Sequence, residues 1–205
     1  MLELERVRTH IASDLHDDIG SNLSLIAGLS EVLSDQAKRF DSEMTERLSM
    51  IASISRSSVD AMSDIVWAVN PMNDHLSDVI HRMRRFASDA LGAQNIEFRF
   101  DTAVADGKTR VGAETRREVF LVFKESINNL VRHSGCTRAD ILLKAESGSI
   151  TLKVSDNGRG FNSGASWPGH GLISIKKRAA KLGGTLDIRS SAASGTTIEL
   201  RAPTQ

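Results

Sequence analysis

The chain has 205 residues, 26 of them basic and 26 acidic, with a formal net charge of zero. That length supports one or two domains, and the balanced charge excludes the electrostatic footprint of a nucleic-acid binder or of a protein held on an anionic membrane. A single cysteine, Cys136, excludes a disulfide framework and a cysteine-based zinc site and fits a reducing compartment.

No apolar run approaches the roughly 18–20 residues that span a bilayer, and no repeat or low-complexity tract is present. Leu2-Glu3-Leu4-Glu5-Arg6 opens directly into a charged helical pattern without the features of a signal peptide. So abrupt a start gives the expectation that the chain is the downstream part of a longer protein.

Residues from about 2 to 38 read as one long helix, because Val7, Ile11, Leu15, Ile19, Leu23, Ile26 and Leu33 recur at the helical period. Lys38-Arg39-Phe40-Asp41-Ser42 breaks the pattern, and Asp41 or Ser42 can cap a second helix over about 43–70. Leu48, Ala52, Ser55, Val59, Met62, Val66 and Val69 alternate steps of four and three within it, a coiled-coil spacing. Asn70-Pro71 ends it, since the residue before proline is pushed out of the helical region. One hairpin cannot bury its own apolar stripe; two can, as a four-helix bundle, so a homodimer through residues 1–70 is expected.

After Pro71 the pattern changes. Helices are predicted over 75–91, 114–134 and 172–182, and strands over 96–100, 139–145, 149–154, 185–189 and 196–201. Helices interspersed with hairpin-like strands imply an α/β sandwich with a mixed sheet over residues 72–205.

Several short segments can carry chemistry. Ile11 to Gly20 holds one histidine, His16, followed by Asp17 and Asp18; a lone helical histidine is also compatible with an ordinary surface or core position. Glu125, Asn129 and His133 stand at i, i+4 and i+8 of a helix, which aligns them on one face. A carboxylate and an amide one turn apart offer oxygen ligands for Mg²⁺, although a solvated face has the same spacing. Asp156-Asn157-Gly158-Arg159-Gly160-Phe161 follows a strand. Asn-Gly is a hairpin signal, but the residues from Phe161 to Pro168 do not resume a strand and read as a lid-like loop. Gly169-His170-Gly171-Leu172 then leads into a helix whose free N–H groups can face phosphate. The spacing fits neither a Walker loop nor a Rossmann fingerprint.

In this order and spacing, the segments resemble the transmitter core of a bacterial sensor histidine kinase of the subfamily that includes the nitrate sensors. Glu5 to Asp17 resembles the phosphoacceptor box, and Lys124 to His133 the N box. Asp156 to Gly160 resembles the G1 box, Gly169 to Leu172 the G2 box, and Gly195-Thr196-Thr197 the terminal element behind an adenine pocket. The resemblance spans essentially the whole chain. It implies a helical-hairpin dimerisation and histidine-phosphotransfer domain over 1–71, followed by an α/β sandwich ATP-binding domain of the GHKL (Bergerat) type over 72–205.

By resemblance, His16 takes the γ-phosphoryl group of ATP, and Asp17 orients its imidazole and accepts its proton. Asn129 binds Mg²⁺ with support from Glu125. His133 and Leu172 border the nucleotide, Asp156 reads adenine with Thr196 behind it, and Gly158, Gly160, Gly169 and Gly171 shape the pocket and lid. The phosphoryl group then passes to an aspartate of a response regulator receiver domain, with helix-turn-helix output. The chain would be the cytoplasmic part of an inner-membrane sensor, itself without membrane or nucleic-acid contact.

Five positions after the histidine, where this subfamily commonly has glutamine or histidine, stands Ser21. Regulator phosphatase activity therefore lacks its usual side chain. Two further readings stay open: a degenerate, non-catalytic ATP-binding scaffold, and a serine kinase or ATPase of the same nucleotide fold. The intact His16, Asn129 and Asp156 argue against the first, and the N-terminal hairpin bearing a histidine against the second.

Overall fold

The computed structural model describes residues 19–37, 42–70, 74–104, 109–161, 170–192 and 194–204. The chain divides into two compact units, Met1–Asn73 and Asp74–Gln205.

In the first unit, α1 (Ser21–Ala37) and α2 (Ser42–Val69) form an antiparallel hairpin. Near the end of α1, the Ser34 hydroxyl meets the Ser49 hydroxyl and donates to the Thr45 carbonyl near the start of α2, while Glu31 pairs with Arg56 further along. Small side chains make the seam. Ala27, Ser30 and Ser34 on α1 and Ala52 and Ser55 on α2 are buried. Helix separation follows the size of the residues at the contact, and these residues let the helices approach closely. Of the expected α1 stripe, Ile26 and Leu33 are exposed on this single hairpin, which does not bury the stripe alone. Leu25, Leu29, Met50 and Ile54 are 55–65% exposed as well. Among the described residues, no helix is long and apolar enough to cross a membrane.

The second unit is a two-layer sandwich. It contains α3 (Leu76–Gly92), β1 (Glu97–Val104), α4 (Ala113–Asn129), β2 (Arg138–Glu146), β3 (Ser149–Asp156), α5 (His170–Lys181), β4 (Thr185–Ser190) and β5 (Thr196–Pro203). The sheet order is β1-β2-β3-β5-β4. Only β1 and β2 run parallel; the other neighbours are antiparallel, so the sheet is mixed, as the strand pattern implied.

Alternation fixes the buried face. Ala139, Ile141, Leu143 and Ala145 of β2, Ile150, Leu152 and Val154 of β3, and Ile198, Leu200 and Ala202 of β5 all point inward. A one-residue slip would turn each set to solvent. The helices answer with their own stripes, Leu76, Val79, Met83, Ala87 and Leu91 on α3 and Val119, Phe123 and Ile127 on α4. Phe123, fully buried, packs edge-on against Phe86 and Phe100. Each fully buried aliphatic side chain contributes about 1.5–3 kcal/mol.

The β2–β3 connection is the tight hairpin of the domain. Ser147 and Gly148 turn it with φ of 49° and 77°, the left-handed pair that matches strand twist.

Candidate functional site

Helix α4 does not continue to 134 as one α-helix. It ends at Asn129, and Leu130–Ser134 form a π-helical turn. The Ser134 hydroxyl bonds the Leu130 carbonyl at 2.7 Å and accepts the Cys136 N–H at 3.0 Å, and Gly135 leaves the helix at φ 61°. Side-chain competition of this kind loosens the regular ladder, and single π turns recur at functional sites. His133 is therefore one π turn beyond Asn129, off the regular i+8 alignment.

Asp156 is the last residue of β3, opposite Ala139. The chain after it does not turn back as a hairpin. Asn157 clamps it to the start of β2: its Oδ1 accepts the N–H groups of Thr137 and Arg138 at 3.0 and 2.9 Å, and its Nδ2 donates to the Thr137 hydroxyl. The Arg159 N–H donates to the Ser134 carbonyl at 2.9 Å. Gly158 is held so close to Ser134 that a Cβ there would stand 2.5 Å from the Ser134 carbonyl oxygen. Phe161 N–H donates to the Ser190 hydroxyl at 2.8 Å, and Ser190 in turn meets the Thr196 hydroxyl at 3.0 Å.

These anchors enclose a cavity of about 570 Å³, within the range of small-molecule sites. Asn129, His133, Asp156, Gly160, Leu172 and Thr196 line it together. Gly158 lies behind it against Ser134. Gly171, in the first turn of α5, faces α4: a Cβ there would meet the Glu125 carboxylate and would lie 3.2 Å from Asn129 Oδ1. His16, Asp17 and Gly169 lie outside the described residues. The Asn157, Arg159 and Ser190 contacts were not singled out from sequence. The first two sit inside the quoted loop, whereas Ser190 has no local signal at all.

The cavity is chemically uneven. Burial pushes the Asp156 carboxyl above the usual carboxylate range, against the N–H groups of Gly158 and Thr196, which pull it down. Gly158 N–H donates to Asp156 Oδ1 at 2.8 Å. A carboxylate so placed can accept from an amine of a flat ring, while Leu130, Val154 and Ile198 supply apolar wall. At the other end, the Asn129 side-chain N–H₂ is buried with no hydrogen-bond partner among the described residues. Such a group requires an acceptor, and a phosphate oxygen is one. Asn129 Oδ1 and the Glu125 carboxylate leave two hard oxygens beside the α5 N-terminus. Among the described residues, no three His, Cys, Asp or Glu side chains group as a metal cage. The residues thus fit a cation that takes few protein oxygens and completes its shell from phosphate and water, as Mg²⁺ does.

Residues 114–205 match the family described as histidine kinase-, DNA gyrase B-, and HSP90-like ATPase, and residues 7–74 match the family described as histidine kinase. The chain belongs to the sensor histidine kinases, as a transmitter core in which the segment matching the histidine kinase family precedes the ATPase-like domain. It is 25% identical over 197 residues to the sensor histidine kinase LiaS of Bacillus subtilis, covering 96% of this chain and 54% of that protein. It is 26% identical over 204 residues to the histidine-protein kinase/phosphatase UhpB of Salmonella typhimurium, covering 97% of this chain and 39% of that one. The chain spans about half the length, or less, of these curated relatives. The Acinetobacter baumannii histidine kinase AdeS shares the fold, with a TM-score of 0.58 at 17% identity over 94% of this chain and 98% of that one.

Proposed function

We propose that this chain is the kinase core of a two-component sensor, which phosphorylates itself on His16 from ATP and passes the group to an aspartate of a response regulator receiver domain, one with helix-turn-helix output. Residues 1–71 are assigned dimerisation and phosphotransfer, and residues 72–205 ATP binding. The observation that carries this reading is the cavity whose half-buried carboxylate, Asp156, stands at one end and whose unpartnered amide, Asn129, stands at the other.

In this reading Asp156 accepts from the adenine amine, with Thr196 behind it. Gly158, Gly160, Gly169 and Gly171 shape the pocket and lid, and His133 and Leu172 border the nucleotide. Asn129 and Glu125 hold Mg²⁺, which when bound neutralises phosphate charge. A ring nitrogen of His16 forms a bond to the γ-phosphorus as the bridging P–O bond breaks and ADP leaves; Asp17 accepts the imidazole proton. Neutral imidazole has a free nitrogen near neutral pH, an adjacent carboxylate fixes its tautomer, and phosphoryl transfer needs mainly alignment and charge neutralisation. The reacting chain is a homodimer, which the exposed apolar face of the hairpin supports. It is the cytoplasmic part of an inner-membrane sensor.

Ser21, exposed at the start of α1, replaces the longer side chain that would place water for regulator dephosphorylation, so phosphatase activity is absent or slow. Rapid, Ser21-dependent loss of label from a phosphorylated regulator in the presence of ADP would overturn that point.

The test of the function is label transfer from γ-labelled ATP with Mg²⁺. The wild type acquires acid-labile, base-stable label, and His16→Gln and Asn129→Ala acquire none. Acid-stable label would identify a serine kinase, and no label despite ATP binding would identify a scaffold.

A further inference from the structure

Arg159 is the only lysine or arginine lining the cavity among the described residues. Its backbone N–H is tied to the Ser134 carbonyl at 2.9 Å, and its side-chain Nε–H donates to the His133 carbonyl at 2.7 Å. Two bonds to adjacent carbonyls fix both ends of the residue, so the guanidinium is not a free surface group. With Nε committed, its two outer N–H₂ groups and its flat face remain at the cavity rim, where the residue is exposed.

Its place along the cavity decides what it meets. Two residues separate it from Asp156, a span of at most about 10 Å of chain, and its anchor lies one turn beyond Asn129 on the side away from α5. The unpartnered amide of Asn129 and the first turn of α5 mark the phosphate end, so Arg159 stands at the base end. There the wall is apolar, through Leu130, Val154 and Ile198, and suits a flat ring. A guanidinium is planar, weakly hydrated and stacks on aromatic faces.

We propose that Arg159 is a nucleotide-binding residue, which lays its guanidinium over the outer face of the bound adenine while the His133 carbonyl holds it in place. This rests on the nucleotide reading above. It assigns the residue between the two glycines of the loop a contact with the base, independent of the phosphates.

The competing account is that Arg159 merely caps the end of the π turn, where a cation is favourable. Affinities of AMP, ADP and ATP, measured by calorimetry on the whole chain and on Arg159→Ala, Arg159→Gln and Arg159→Lys, separate the possibilities. The expected result is a loss of about three- to tenfold in Arg159→Ala, as an exposed-to-desolvated cation–π contact gives, and equal for the three nucleotides. Neither Gln, which keeps an N–H donor for the His133 carbonyl, nor Lys, which keeps the charge, restores it.

Restoration by Gln would show a cap and overturn the inference. Restoration by Lys, or a loss that grows with the number of phosphates, would show a charge partner and overturn it too. Unchanged affinity in Arg159→Ala would overturn it alone, whereas a wild type that binds no adenine nucleotide would overturn the nucleotide reading itself.

Discussion

The buried carboxylate of Glu118 on α4 accepts the Arg178 guanidinium of α5 at 2.6 Å. Lys181 reaches the same carboxylate at 3.0 Å, as does Arg117. Glu118 is only 1% exposed, so α5 is fastened to α4 at its C-terminal end, while its N-terminal turn faces Glu125 and Asn129. The pairing holds the first turn of α5 in register against Glu125 and Asn129 without touching the cavity.

That arrangement has a pH signature. Burial on its own would raise the Glu118 carboxyl, but the hydrogen bonds from Lys181 and Arg178 and their charges outweigh it, and the group is held below its ordinary value. A depressed carboxylate adds stability that is complete above its unfolded-state pKa of about 4.3 and is lost as pH falls through the lower folded value. Glu118→Gln should lose about 2–3 kcal/mol at neutral pH. That is below the usual figure for a broken buried pair, because Arg178 and Lys181 can regain water. Urea unfolding of both proteins across pH checks it: the difference should persist down to about pH 5 and shrink below the unfolded-state value.

Asp156 runs with the opposite sign. Its carboxyl is raised by burial, so ionisation opposes folding, and its contribution is lost as pH rises from the unfolded-state value through the raised folded one. Asp156→Asn should therefore be at least as stable as the wild type at neutral pH, with a margin that widens from about pH 4 upward. Nucleotide affinity should fall by about ten- to a hundredfold, the worth of a hydrogen bond to a charged group, since an amide anchored by the Gly158 N–H offers a donor where the base presents one. Thermal unfolding and calorimetry on one preparation would show both. A variant that lost stability and affinity together would contradict the split.

The loop after Asp156 can be tested against a neutral turn elsewhere. Gly160 and Gly148 both have positive φ, 60° and 77°, which costs a side chain about 1–2 kcal/mol. Gly148 has open space around it, while a Cβ on Gly160 would overlap the Ser191 carbonyl. Gly160→Ala should cost about 1–3 kcal/mol more than Gly148→Ala and should weaken nucleotide binding, whereas Gly148→Ala should leave binding unchanged. Equal losses in denaturant midpoint would show that the overlap is relieved by movement.

What could be read in advance follows from how local each signal is. Asp156, Asn129 and Thr196 sit in short segments whose residue types and order carry their meaning, and the strand alternation around Ile141 and Leu152 fixes which face is inward. Glu118 gave no such signal, because its partners on α5 stand 60 and 63 positions away and a helical glutamate normally faces water. Ser190 is 29 positions from Phe161, and its hydroxyl matters only once β4 is placed beside the loop. The π turn was hidden too, because periodicity assumes that the ladder continues and Ser134 disrupts it through its side chain. In the hairpin, the stripe through Ile26 and Leu33 stays exposed on one chain, since one hairpin cannot bury it alone, whereas the small residues of the intrachain seam, Ala27, Ser30 and Ser34, carry little apolar signal.

That exposed face leads to the last prediction. With small residues filling the seam, the large apolar side chains of α1 and α2 are left outside: Leu25 is 61% exposed, Leu29 55%, Met50 65% and Ile54 55%. A patch of this kind on a single chain marks a protein contact, and a self-complementary face shared by two copies would bury it about a twofold axis. Charges introduced there disrupt such a contact strongly, while a substitution in the intrachain seam damages the hairpin itself. Leu29→Lys combined with Ile54→Lys should convert a dimer into a monomer in analytical ultracentrifugation, with helicity kept and nucleotide affinity unchanged, since the cavity lies within residues 74–205. A double variant that sedimented as the wild type does would show that this face is not where two copies meet.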